Sequence, residues 1–203
     1  ITSITDASSR SVSISYTGDY VSSITYEDQT TTFTYTGDQL TETKTPNGRT
    51  YKYGYENGQL RFVYDPKHTD AKPSVTEYTY DSEGKLVKVT DVLKKVTTIS
   101  YDADARQTAV TNPKGNKDIY GYNEDGNPSK TIEDADNLKL TTTYEYDNNN
   151  LVKKTDPNDQ TDDKPSEAYT YDKNGNILTE TNALGKNTYE YNANNDVTKS
   201  VDS

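Results

Sequence analysis

The chain has 203 residues, 33 acidic against 22 basic, a formal net charge of −11, 19 tyrosines, and no Cys, Met or Trp. Without cysteine there is no disulfide framework, thiolate metal site or Cys nucleophile, and an acidic chain whose basic runs are no longer than Lys94-Lys95 is a poor partner for nucleic acid. No window approaches the ~18 apolar residues of a membrane helix, and Leu, Ile, Val and Phe number only 31, a composition of disordered chains unless tyrosine supplies the missing core.

Taken in chain order, the predicted elements repeat. A strand-like segment carries a large residue, one spacer and an anchor tyrosine, first at Ile14 and Tyr16, then at Phe33 and Tyr35, Tyr53 and Tyr55, and Tyr78 and Tyr80. It returns at Ile99 and Tyr101, Tyr120 and Tyr122, Tyr144 and Tyr146, Tyr169 and Tyr171, and Tyr189 and Tyr191, a mean spacing of about 22 residues. Residues two apart in a strand share a face, so each repeat places a two-residue stripe on one side of a sheet. Tyr20, Tyr26 and Tyr64 fall outside the stripe and are expected to be surface aromatics.

A turn follows each anchor. Asp81-Ser82-Glu83-Gly84, Asn123-Glu124-Asp125-Gly126 and Asp172-Lys173-Asn174-Gly175 combine an Asp/Asn that bonds local backbone with a glycine for the positive φ. Gly18, Gly37 and Gly58 serve shorter turns, Asn149-Asn150 substitutes in another, and after Tyr101 Ala105 stands where glycine belongs. An apolar residue (Leu40, Leu60, Leu86, Leu151, Ile177 or Val197) then opens a second strand that alternates with Thr, Lys and Glu. A second turn begins at Asp65-Pro66, Asp91, Asn112-Pro113, Asp134, Asp156-Pro157 or Asn182.

Two oversized turns, near 65–74 and 156–166, are bounded by proline and lie 91 residues apart, as do Tyr55 and Tyr146, so a block of four repeats is duplicated. These loops are expected to protrude as surface insertions, with partner contact as the alternative. The 32 threonines, the tyrosines and the punctuating Asn, Gly and Pro predict an all-β chain without helices. One hairpin cannot bury its face alone, so residues 1–203 are expected to form a single array of stacked repeats, a continuous, curved antiparallel sheet. The pattern opens and stops mid-repeat, which predicts a piece of a longer polypeptide, so a missing signal segment bears on nothing about secretion.

Candidate chemistry is sparse. His68, the one histidine, has no Ser and buried acid placed for a triad and is expected to be an exposed loop residue. The pairs Asp102/Asp104, Asp134/Asp136, Asp156/Asp159 and Asp162/Asp163 read as turn chemistry, with weak calcium binding as the alternative, because the closing bidentate Glu is missing. Nothing calls for a cofactor. The tyrosine stripe reads as packing or lining, with stacking on cell-wall or host glycans as its alternative.

The unit Tyr80-Asp81-Ser82-Glu83-Gly84-Lys85-Leu86…Thr90-Asp91, repeated as Tyr169-Thr170-Tyr171-Asp172-Lys173-Asn174-Gly175-Asn176-Ile177, resembles the YD repeat of the RHS-repeat family across essentially the whole chain. The resemblance implies a segment of a spiral β-shell that encapsulates or displays a C-terminal effector, as in polymorphic toxins, toxin-complex shell subunits and teneurins. It implies no catalytic residue in this segment. The partners it implies are neighbouring repeats and an enclosed effector of the same chain, in a secreted or wall-associated bacterial protein of Gram-positive flavour. Lys85, Asn127 and Asn176 stand where the family often has Arg, and the family's shell-closing segment is absent from these residues.

Overall fold

A computed structural model describes residues 1–159 and 165–202, so Asp162/Asp163 and the middle of the second Pro-bounded loop lie outside the described residues. The chain divides into two compact units, Ile1–Thr98 and Ile99–Ser203. This division falls close to the 91-residue duplication.

The first unit holds β1 (Ser3–Thr5), β2 (Ser11–Thr17), β3 (Tyr20–Tyr26), β4 (Gln29–Thr36), β5 (Gln39–Lys44), β6 (Thr50–Glu56), β7 (Gln59–Tyr64), β8 (Val75–Tyr80) and β9 (Leu86–Thr90). It also holds the start of β10 (Val96–Asp102), which pairs with β9 through Val96–Thr98. The second unit continues with β11 (Gln107–Thr111), β12 (Lys117–Tyr122), β13 (Pro128–Glu133), β14 (Leu140–Asp147) and β15 (Asn150–Thr155). After a 3-10 turn at Pro157–Asp159 come β16 (Glu167–Tyr171), β17 (Ile177–Asn182), β18 (Gly185–Tyr191) and β19 (Val197–Asp202). Chain neighbours run antiparallel from β1 to β9 and from β11 to β19. Among the described residues there is no α-helix: Thr, Tyr, Val and Ile fill the strands, and a turn residue interrupts before any helical turn can propagate.

Many of the longer turns use one device. Asp81 Oδ1 accepts the amides of Glu83 and Lys85, both at 2.9 Å, and Gly84 closes the turn at φ +83°. Asn123 and Asp172 repeat this with Gly126 at φ +84° and Gly175 at +86°. Asp91 and Asn112 do the same in the second class of turn, with Lys94 at φ +63° in the glycine position of the first. In the turn after Tyr101, Arg106 takes the positive φ, +50°, so Ala105 is spared the left-handed conformation that the turn pattern assigned to it. Two of the acidic pairs make local bonds of this kind. Asp102 Oδ1 accepts the Ala105 amide at 2.9 Å, and Asp134 Oδ1 the Asn137 side-chain amide at 2.8 Å.

A one-residue bulge recurs just before the anchor tyrosine. Gly54 pairs with Phe62 and Tyr55 with Leu60, leaving Arg61 unpaired on the second strand. The same slip leaves out Ser22, Thr41, Val87, Ser129, Val152, Leu178 and Thr198 in the other hairpins. Directly opposed residues share a face, so the opener and the residue three later, not two later, join the stripe. Leu60 and Val63 therefore lie on the face of Tyr55 and Tyr53, and Leu86 and Val89 on that of Tyr80 and Tyr78. Simple alternation along the second strand is overturned by this slip.

Candidate functional site

The tyrosine face is the most distinctive surface of each unit. Its rows pair an aromatic with an aliphatic residue across the bulged hairpin: Tyr16 with Val21, Tyr35 with Leu40, Tyr80 with Leu86, Tyr146 with Leu151, Tyr171 with Ile177 and Tyr191 with Val197. One row inward, Ile14 opposes Ile24, Tyr53 opposes Val63 and Tyr78 opposes Val89, whereas Phe33 and Tyr120 oppose threonines. Further along, Tyr144 opposes Lys154, Tyr169 opposes Glu180 and Tyr189 opposes Ser200. The face is thus mainly apolar in the first unit and carries charge among its aromatics in the second.

Among the described residues no hydrophobic side chain is fully buried. Most stripe residues, including Ile99, are half-buried; Tyr16, Tyr101, Tyr120 and Tyr122 are 38–43% exposed.

Five anchors are tied down by their hydroxyls. Tyr55 Oη donates to the Leu40 carbonyl at 2.9 Å, Tyr80 to Leu60 at 2.8 Å, Tyr171 to Leu151 at 2.7 Å and Tyr191 to Ile177 at 2.8 Å. Tyr16 Oη donates to the Ile1 carbonyl at 2.8 Å. The acceptor, where a hairpin precedes, is the carbonyl of the residue that opens the second strand of that hairpin. Each bond therefore clasps one repeat to the one before. Sequence reasoning missed these clasps because a backbone carbonyl carries no residue-type signal.

Burial raises the phenol pKa of Tyr55, Tyr146 and Tyr171. Tyr169 is pushed further up, first by its 2.6 Å hydrogen bond to Glu167 Oε2 and then by burial. The Glu167 carboxyl is held below the usual carboxylate range by that hydroxyl and then by Lys154, whose Nζ lies 3.1 Å from Oε1. Lys154 is raised in turn, first by Glu167. This is an ion pair on a partly wet face, and it offers neither a general base nor a nucleophile.

Tyr20 and Tyr26 are surface aromatics, 40% and 38% exposed, although the Tyr20 ring stacks on Tyr35 at 4.9 Å and Tyr26 opposes Val12 on the stripe face. Two other sequence expectations shift. Tyr64 is half-buried against Phe62 and His68. His68 is half-buried rather than exposed. Its Nδ1 accepts the Ser74 amide at 3.1 Å and its ring meets Tyr64 edge-on at 4.8 Å, so it braces the first Pro-bounded loop. In the second such loop, Ser166 Oγ accepts the Asp156 amide at 2.6 Å and donates to Asp159 at 2.5 Å. No three metal-ligating side chains converge among the described residues.

Comparison with known proteins agrees with this repeat architecture. The family model of the RHS Repeat matches residues 80–117 and 171–203. This is an RHS-repeat chain. It is 42% identical over 136 residues to the tRNA nuclease WapA of Bacillus subtilis (strain 168), and equally to the tRNA3(Ser)-specific nuclease WapA of Bacillus spizizenii. Those matches cover 66% of this chain and 6% of each relative. Among solved structures, the Photorhabdus luminescens Tc holotoxin pore aligns with 89% of the RHS-repeat chain and 13% of its own, at TM-score 0.48 and 14% identity. The TcdB2-TccC3-Cdc42 structure aligns over 98% of the RHS-repeat chain and 15% of its own, at TM-score 0.48 and 13% identity.

Proposed function

We propose that residues 1–203 act as one repeat array, a non-catalytic segment of an RHS β-shell that encloses or displays an effector domain of the same polypeptide. The observation that carries this reading is uncovered area. The chain exposes 13980 Å², whereas two separate compact bodies, each half of 22.7 kDa, together expose about 11,500 Å². A sheet with a half-covered aromatic face and no fully buried hydrophobic side chain among its described residues finds further cover outside itself. The likeness to WapA supports a toxin context, with the nuclease activity of those relatives residing outside the matched region. It also favours a secreted or wall-associated location in a Gram-positive bacterium. No helix among the described residues is long and apolar enough to cross a membrane.

Acrylamide quenching of tyrosine fluorescence tests this directly. Quenching is expected to be strong in the isolated chain and much reduced in the longer polypeptide that carries an effector. Equal quenching in both would sink the enclosure reading, as would tRNA cleavage by the isolated chain for the non-catalytic one. The exposure of Tyr16, Tyr101, Tyr120 and Tyr122 favours a second reading, an adhesin-like surface for glycan or protein. Glycan binding that disappears in Tyr120→Ala with the fold intact would select it.

A further inference from the structure

We propose that Tyr20 and Tyr35 form an oxidative cross-linking site, joined as a dityrosine by a one-electron oxidant such as a peroxidase with hydrogen peroxide. Two independent observations converge on this pair. The first is geometric. The rings of Tyr20 and Tyr35 stack with centroids 4.9 Å apart and planes 27° from parallel. Tyr20 is 40% exposed, so an oxidant reaches it. The second is compositional. With no Cys, Met or Trp, the chain lacks the side chains that normally intercept oxidising equivalents, and 19 tyrosines are left to receive them.

The chemistry balances with the named oxidant. Each phenol yields one electron and one proton, giving two phenoxyl radicals. A carbon–carbon bond forms between the ring carbons ortho to the two oxygens. The hydrogen on each of those carbons then moves to its own phenol oxygen as the rings regain aromaticity. Two electrons and two protons reduce hydrogen peroxide to two waters. The product ties the start of β3 to the end of β4, at the ends of the two strands remote from their connecting turn at Glu27-Asp28. In a protein without cysteine it supplies the covalent closure that a disulfide supplies elsewhere.

The sequence makes the test clean. Cleavage after glutamate releases residues 1–27 and residues 28–42, and the second fragment contains Tyr35 as its single tyrosine. Treating the 203-residue chain with peroxidase and hydrogen peroxide, at a dilution where it is monomeric, is expected to yield dityrosine fluorescence and a conjugate of these two fragments, lighter than their sum by two hydrogens. The conjugate should be lost in Tyr20→Phe and in Tyr35→Phe, both of which keep the stacked ring. It should persist in Tyr16→Phe and Tyr26→Phe, the other tyrosines of the first fragment. A conjugate that survives Tyr20→Phe, or a 28–42 fragment coupled mainly to other regions or to a second chain, overturns the assignment. So does absence of any coupling while other tyrosines become oxidised.

Discussion

Tyr171 does two jobs with one side chain. Its ring lies opposite Ile177, and its hydroxyl reaches back to the Leu151 carbonyl at 2.7 Å. Replacing it with Phe keeps the ring and removes the clasp, so Tyr171→Phe is expected to lower stability by about 1 kcal/mol, read from the urea midpoint. Glycine at the turns is a purely conformational requirement at Gly175, where an added Cβ meets nothing within 4 Å and φ is +86°. Gly175→Ala should therefore cost about 1 kcal/mol, and Gly175→Asn less, because Asn tolerates the left-handed region. The Glu167 carboxyl makes acid stability specific. Its pKa is depressed by Tyr169 and Lys154, so its contribution is complete above the ordinary carboxylate pKa and is lost as pH falls through the lowered value. Urea unfolding at stepped acid pH should show a flatter decline in Glu167→Gln; an unchanged decline would remove Glu167 from the account.

At the scale of the hairpin, the bulge decides which side chains meet. Val87 is the extra residue, whereas Val89 opposes Tyr78 on the stripe face. Val89→Lys is expected to cost roughly 1 kcal/mol through the lost cross-strand pair, and Val87→Lys distinctly less; equal costs would contradict the register. Much of the hairpin is legible from sequence because turn chemistry is local. The Asp or Asn, the two amides it binds and the glycine that closes the turn lie within five residues, as at Asp81 to Lys85. The bulge is not legible, because it appears only when two strands are set in register, and Leu86-Val87-Lys88-Val89 alternates well enough on its own to suggest a regular strand. His68 is similar. Its role rests on an imidazole nitrogen meeting the Ser74 amide across the loop, which composition does not reveal.

For the chain as a whole, tyrosine substitutes for the aliphatic core that 31 Leu, Ile, Val and Phe do not provide. That choice sets an alkaline limit. Tyr55, Tyr146, Tyr169, Tyr171 and Tyr189 all have raised phenol pKa values. The folded state holds these protons more tightly than the unfolded chain. Their stabilisation is complete below about pH 10, the ordinary phenol value, and is lost as pH rises through the raised ones. Phenolate formation should therefore include a late phase from these five, coincident with loss of the sheet signal in circular dichroism. A single phase with the sheet intact would contradict this.

The hydroxyl clasps have a direction. Tyr80 holds Leu60 and Tyr171 holds Leu151, each tyrosine reaching toward the N-terminal side, like roof tiles that each overlap the tile laid before. Cutting a repeat from the C-terminal side removes a tyrosine together with its bond and leaves an intact array. Cutting one from the N-terminal side strands a hydroxyl whose acceptor has gone. Serial truncation by whole repeats should therefore be better tolerated from the C-terminal end, and an array built this way can be lengthened by copying complete units downstream without disturbing those already in place.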